Sequence, residues 1–167
     1  GSFTGLRIGV TTAKTLCYAL NLPCVAVDSL AAIAAAALHT SSDCKRIWSV
    51  LDAYRGQVFM GDFERSALLP EKEVTPSDWT AHPKTIRVLQ REEWDAMLRE
   101  KNQDIALAGD VKPMGDRAAE RIESPCNAVG VGLLAARAAE LGQFCDPLAL
   151  VPRYLKDSAA EEKAAMS

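Results

Sequence analysis

The chain has 167 residues, 49% hydrophobic and 25% charged, enough to bury the core of one ordinary globular domain or of two small lobes. A net charge of -3 and a pI near 5.4 argue against a chain that holds nucleic acid by itself, since phosphate binding rests on clustered Lys and Arg. The five cysteines, Cys17, Cys24, Cys44, Cys126 and Cys145, are odd in number and show no CxxC or Cys/His ligand spacing, so neither a disulfide framework nor a zinc site is indicated and a reducing cytoplasm fits best.

The opening Gly1-Ser2-Phe3-Thr4-Gly5-Leu6-Arg7-Ile8-Gly9-Val10 reads as a tight turn feeding a helix over 4–20, with Ser2 or Thr4 as N-cap. The helix ends at Asn21-Leu22-Pro23, and Cys24-Val25-Ala26-Val27 is expected as a short buried strand. Asp28 or Ser29 caps a second helix, Leu30–Leu38, whose alanine and aliphatic composition requires cover on most of its surface. The polar Thr40-Ser41-Ser42-Asp43 is the expected boundary between lobes.

Two strands, Arg46–Ala53 and Gln57–Glu64, flank Ala53-Tyr54-Arg55-Gly56 as a hairpin, and a third is expected within Leu68–Val74. Residues 75–91 read as irregular except for a short strand at Thr85–Leu89. Glu92–Glu100 is a polar helix with Trp94, Met97 and Leu98 on one face, followed by a buried strand Ile105–Ala108 ending in Gly109-Asp110. Another turn and strand lead to Cys126, and Asn127 caps a last helix, Ala128–Leu141, stopped by Gly142. No apolar run reaches about 18 residues and no basic-then-apolar leader is seen, so neither a membrane span nor a signal peptide is expected.

The order after residue 45, hairpin, helix, strand, helix, is that of a ribonuclease H-like lobe with a mixed sheet, and the elements before it would be the back half of a second such lobe. The expected division is therefore 1–43 as an N-terminal remnant, 44–156 as a complete C-terminal lobe and 157–167 as a polar tail. Lacking its neighbours, a strand at 24–27 would carry an unpaired edge, a liability that favours a dimer or rearranged packing.

Several candidate sites have a plain structural reading beside the chemical one. Gly109-Asp110 stands where a nucleotide contact would fall, yet a strand-ending turn is the simpler reading, and Asp52 before the hairpin reads the same way with no glycine-rich phosphate cradle after it. His39 and His82 are far apart without a carboxylate pattern, and no Ser-His-Asp or Cys-His arrangement is visible. In the first helix, Gly5, Gly9 and Ala13 recur every four residues and line one face. Each interior glycine costs about 1 kcal/mol relative to alanine, a cost that close approach of another backbone would offset. That backbone is either another part of the same protein or a partner.

Gly1-Ser2-Phe3-Thr4-Gly5-Leu6-Arg7-Ile8-Gly9, with Ala13-Lys14 and Leu22-Pro23 before Val25–Val27, resembles the TsaB family, partner subunits in bacterial tRNA threonylcarbamoyladenosine synthesis. Leu51-Asp52-Ala53-Tyr54-Arg55-Gly56-Gln57-Val58-Phe59 resembles the family's Asp-Ala-x-x-Gly-Glu-Val-Tyr hairpin, with Gln57 and Phe59 as departures. Pro152-Arg153-Tyr154-Leu155-Lys156, then Ala160-Glu161, is similar to its ending, with Lys156 in place of arginine. The resemblance spans nearly the whole chain, strongest over 1–33 and weakest over 65–104. It implies an actin-like ATPase superfamily fold, here without the opening strands and first helix of the first lobe.

The resemblance also implies a non-catalytic scaffold without cofactor or metal. The related catalytic subunit TsaD carries a His-x-x-x-His pair, one helical turn apart, where this chain has Ser29 and Ile33. The implied partners are a TsaD-like catalytic subunit and a TsaE-like ATPase, with tRNA reached only through the complex, a homodimer in isolation and no membrane. The implied interface is the first helix, through Thr4, Gly5, Arg7, Gly9, Thr11, Ala13 and Lys14. The alternatives are a stand-alone nucleotide-dependent carbamoyltransferase or kinase, a metalloendopeptidase, which Ser29 and Ile33 oppose, and a plain oligomerisation module.

Overall fold

The structure, a computed structural model, describes residues 3–41, 43–70, 74–77, 79–81, 85–116, 121–122 and 127–155. The elements run α1 (Phe3–Leu20), α2 (Ser29–Thr40), β1 (Arg46–Asp52), β2 (Gln57–Glu64), α3 (Arg65–Leu68), β3 (Ile86–Gln90), α4 (Arg91–Glu100), β4 (Ile105–Gly109), α5 (Val111–Met114), β5 (Arg121–Ile122) and α6 (Ala128–Glu140). They fall into two compact units. One contains Gly1–Cys24 together with Cys145–Ser167, and the other is Val25–Phe144.

The larger unit is built on a mixed five-stranded sheet in the order β3-β2-β1-β4-β5. β1 pairs antiparallel with β2 and parallel with β4, β2 pairs antiparallel with β3, and β4 runs parallel to β5. Successive side chains of a strand leave on opposite faces, so the central strands feed two cores. Ile47, Leu51, Phe59, Phe63, Ala106 and Ala108 meet α2 and α6 on one face. Trp48, Val50, Val58, Met60 and Leu107 meet Trp94 and Leu98 of α4 and Met114 of α5 on the other. With both faces covered, β1 and β4 read as near-continuous apolar runs.

Each covering helix is fixed by local chemistry at its ends. The Asp28 carboxylate caps α2, accepting from the N–H of Leu30 at 2.9 Å, and Asn127 caps α6 by accepting from the N–H of Val129 at 3.0 Å. Gln90 and Glu93 form a reciprocal capping box on α4. Trp94 packs 6.0 Å from Trp48, ring centroid to centroid, and its indole N–H donates to the Pro113 carbonyl at 2.6 Å.

Helix α2 is buried all round, Leu30 through Leu38 without exception. Its alanines allow the approach of α6, where Gly130 lies so close that a Cβ would collide with the Ala32 carbonyl. The far end of α2 is held by Arg65, whose guanidinium donates to the carbonyls of Leu38, Ser41 and Cys44. A cation at a helix C-terminus also opposes the negative end of the helix dipole.

Two expectations are corrected. Residues 24–27 form no strand: Cys24 makes a single antiparallel bridge to Cys145, and Val25 and Val27 pack as loop residues on the sheet core, so the expected exposed strand edge is absent. The stretch expected to hold a third strand begins instead with the end of α3, because Leu68 is drawn into the core beside Arg65, while residues 71–73 lie outside the described residues. The third strand of the sheet is β3, where the short strand at Thr85–Leu89 was read. The polar break at Thr40–Asp43 does not separate compact units, since α2 shares a core with β1 and α6.

Gly130→Val is expected to destabilise the protein by about 1–3 kcal/mol or more, the cost of overpacking against backbone, read as a lowered urea midpoint by tryptophan fluorescence. Two residues on, Gly132 faces open space, so Gly132→Ala in the same helix is expected to be neutral or to stabilise by up to about 1 kcal/mol.

Candidate functional site

All seven residues expected at an interface lie on α1, in the smaller unit. Thr4, Gly5, Arg7, Gly9, Thr11 and Ala13 are exposed and Lys14 is half-buried. At about 3.6 residues per turn, Gly5, Gly9 and Ala13 continue into Leu16 and Leu20, and Leu6 lies at the margin of the same stripe. Leu6, Leu16 and Leu20 are 45%, 53% and 62% exposed, and a Cβ on Gly9 would meet nothing within 4 Å. The small-residue stripe is thus one part of a longer apolar face open to solvent. Sequence reasoning missed the leucines, although their spacing of three and four from Gly9 and Ala13 is the signal that finds them.

Arg7 and Lys14, two turns apart, occupy roughly the opposite side of α1. Arg7 Nε donates to the Tyr154 hydroxyl at 2.9 Å, and its guanidinium stands 5.7 Å from that ring's centroid, within cation–π range. Lys14 Nζ donates to the Leu148 carbonyl at 2.9 Å. Both hold the returning segment after Cys145 against α1, which leaves Gly5, Gly9 and Ala13 on the uncovered side.

Ser29, Ile33 and His39, weighed for catalysis, all lie on α2. Ser29 is exposed in the first turn of α2, while Ile33, one turn later, is 1% exposed within the core and carries no ligand atom. His39 is exposed in the last turn of α2, and His82 lies outside the described residues. Among the described residues no group of three His, Cys, Asp or Glu side chains is placed to hold a metal ion, and no helix is long and apolar enough to cross a membrane.

At the carboxyl ends of β1 and β4, Asp52 and Asp110 bind the two strands together. The Asp52 N–H donates to the Asp110 carboxylate at 2.8 Å, and the Asp110 N–H donates to the Val50 carbonyl at 2.9 Å. Asp52 accepts from the Tyr54 N–H at 2.8 Å and pairs with Lys112 Nζ at 2.8 Å. Gly109, at φ +104°, crosses so close to β1 that a Cβ would strike the Val50 carbonyl. These contacts are those of a turn and a hairpin anchor.

A family model described as TsaD, tRNA N6-adenosine threonylcarbamoyltransferase, matches residues 1–77. The tRNA threonylcarbamoyladenosine biosynthesis protein TsaB of Bacillus subtilis (strain 168) is 31% identical over 98% of this chain and 69% of its own length. The chain belongs to the TsaB family. The Escherichia coli (strain K12) protein of the same name is 34% identical over 65 residues, 39% of this chain and 28% of its own. YeaZ from Pseudomonas aeruginosa, a TsaB homologue, superposes with a TM-score of 0.63 at 25% identity, covering 92% of this chain and 70% of that one. An uncharacterized Pseudomonas aeruginosa protein with similarity to the peptidase YeaZ gives 0.64 at 24%, covering 93% and 69%. The fold of this TsaB-family chain is accordingly ribonuclease H-like, of the actin-like ATPase type.

The ion pair at the β1–β4 edge gives this TsaB-family chain a defined pH response. The hydrogen bond from Lys112 holds the Asp52 carboxyl below its ordinary value, against partial burial that raises it, and Asp52 in turn raises Lys112. A depressed carboxylate contributes stability above its unfolded pKa of about 4 and loses it as the pH falls through the folded value. The raised lysine contributes below its unfolded pKa of about 10.4 and loses it as the pH climbs through the folded value. Because Lys112 is 78% exposed, the amplitude is small. Lys112→Ala is expected to move the Asp52 pKa up toward the ordinary carboxylate range in an NMR titration of its side-chain carbon. An unmoved Asp52 would show that its amide donor, Tyr54, governs it instead.

Proposed function

We propose that this chain is a non-catalytic scaffold subunit of tRNA threonylcarbamoyladenosine synthesis, docking through α1 on a TsaD-type catalytic subunit that carries the threonylcarbamoyl transfer. The observation that carries the reading is the exposed apolar stripe of Gly5, Gly9, Ala13, Leu16 and Leu20 on α1 of a TsaB-family chain. The relatives are named for this biosynthesis, and the family model that matches residues 1–77 is that of the transferase itself. Small residues let a facing helix approach closely, and the leucines supply the apolar area that drives association. Ile33, buried where the catalytic relatives have a second histidine, supports a supporting rather than a catalytic role.

The TsaE-like ATPase is the third partner, and tRNA is reached through the complex, in keeping with the net charge of -3. Without the catalytic subunit the same face of α1 pairs with a second copy, giving a homodimer. Thr4 and Thr11 lie toward the anchored side of α1 and border the interface, whereas Arg7 and Lys14 set the helix in place through Tyr154 and Leu148.

Gly9→Leu tests the reading. Overpacking a close helix contact costs about 1–3 kcal/mol, so the Kd for the TsaD-type subunit should rise roughly 5- to 150-fold by titration calorimetry. The helix itself should gain about 0.5–1 kcal/mol, since an exposed interior glycine is replaced by a better helix former. Unchanged affinity with an intact circular dichroism spectrum would remove α1 from the interface. Saturable ATP turnover by the isolated chain would instead favour a stand-alone enzyme.

A further inference from the structure

The smaller unit brings together three thiols that neither the fold nor the proposed scaffold role uses. Cys24 and Cys145 are partners in an isolated antiparallel bridge, with the Cys145 N–H donating to the Cys24 carbonyl at 2.8 Å. In a hydrogen-bonded antiparallel pair the Cα atoms lie about 5.5 Å apart with side chains on one face, inside the range of about 4.4–6.8 Å that a disulfide spans. Cys17, in the last turn of α1, is brought to the same place by the turn that closes the helix, where the Leu22 N–H donates to the Cys17 carbonyl at 2.9 Å.

Cys24 is 5% exposed, whereas Cys17 and Cys145 are half-buried and reachable by small reagents. Burial first, and then the neighbouring thiols of Cys145 and Cys17, push the Cys24 thiol up to about 12. The buried thiol therefore stays protonated near neutrality and cannot begin an exchange, since the thiolate is the nucleophile.

We propose that Cys24 and Cys145 form a reversible disulfide, made by exchange with a low-molecular-weight disulfide such as oxidised glutathione. The Cys145 thiolate attacks one sulfur of the reagent, forming a mixed disulfide and expelling one glutathione thiolate. Cys24 gives its proton to that thiolate and attacks the Cys145 sulfur, and the second glutathione leaves as thiolate and takes up the proton Cys145 had lost. Two protein thiols are oxidised and one glutathione disulfide is reduced to two thiols, so atoms and electrons balance. The bond would fasten the two places where the chain passes between its compact units, Cys24-Val25 and Phe144-Cys145. Oxidation would thereby fix the end of α1 to the returning segment already held by Arg7 and Lys14.

The test is titration of the full chain with oxidised and reduced glutathione, followed by alkylation of remaining thiols and peptide mass mapping. The expected product has lost the mass of two hydrogen atoms, joins the peptides of Cys24 and Cys145, and leaves Cys17, Cys44 and Cys126 open to alkylation. Amide exchange over 17–24 and 145–150 should slow several-fold on oxidation and recover on reduction. Cys145→Ser should abolish the cross-link, and Cys44→Ser should leave it. Mixed disulfides alone, a Cys17–Cys24 bond, or a cross-link that survives Cys145→Ser would overturn the proposal, and the mapping of the unmutated chain holds whether or not a variant folds.

Discussion

The contact between α2 and α6, at Ala32 and Gly130, is the constraint on which the larger unit depends. A helix buried from Leu30 to Leu38 has no polar face to give to water, so every side of it must find cover within the protein. The sheet supplies one side through Ile47, Phe63 and Ala108, and α6 supplies another through Leu134 and Ala138. Alanine at six of the twelve helical positions makes both approaches close, and Gly130 removes the last obstruction. Arg65 then binds the carbonyls at the end of α2, groups that burial would otherwise leave without donors. The sheet, both cores and the β1–β4 edge are positioned relative to this helix.

Helix α1 presents the opposite physics. Eighteen residues long, it has no buried residue among those whose exposure is described, and its ordering rests on the returning segment at Tyr154 and Leu148. Completing the burial of Leu6, Leu16 and Leu20, each about half exposed, yields about 1 kcal/mol apiece. That sum falls below the roughly 4–15 kcal/mol that association costs in lost freedom. The stripe can therefore serve as the centre of an interface but not as the whole of it, and a stable complex must bury surface around α1 as well.

The carboxyl ends of β1 and β4 show how a motif can look chemical and act structurally. Asp52 and Asp110 stand where the sequence left a nucleotide contact to be weighed against a turn, and their oxygens are engaged by Lys112, the Tyr54 N–H and the Asp52 N–H. The positive φ values of Tyr54 and Arg55, 59° and 52°, belong to the same hairpin, whose turn is closed by the Gln57 N–H donating to the Tyr54 carbonyl at 3.1 Å. These internal partners account for the geometry.

Helix and strand periods in the sequence determined α1, α2, α4, α6, the β1–β2 hairpin and β4, because each buries a face whose spacing is written locally. The caps at Asp28 and Asn127 were legible for the same reason, and so was the stripe of Gly5, Gly9 and Ala13. Only the tertiary structure decided that Cys24 bridges to Cys145 instead of entering a strand, that α2 joins the sheet across a polar break, and that Arg7 and Lys14 hold the chain's own return. It also showed that Gly130 makes the close helix contact while Gly9 stands open. The Cys24 bridge and the Arg7 and Lys14 anchors join residues more than a hundred positions apart, and the helix contact depends on which of several glycines meets a neighbouring backbone. A local pattern states that a face must be covered, and the folded chain alone settles what covers it.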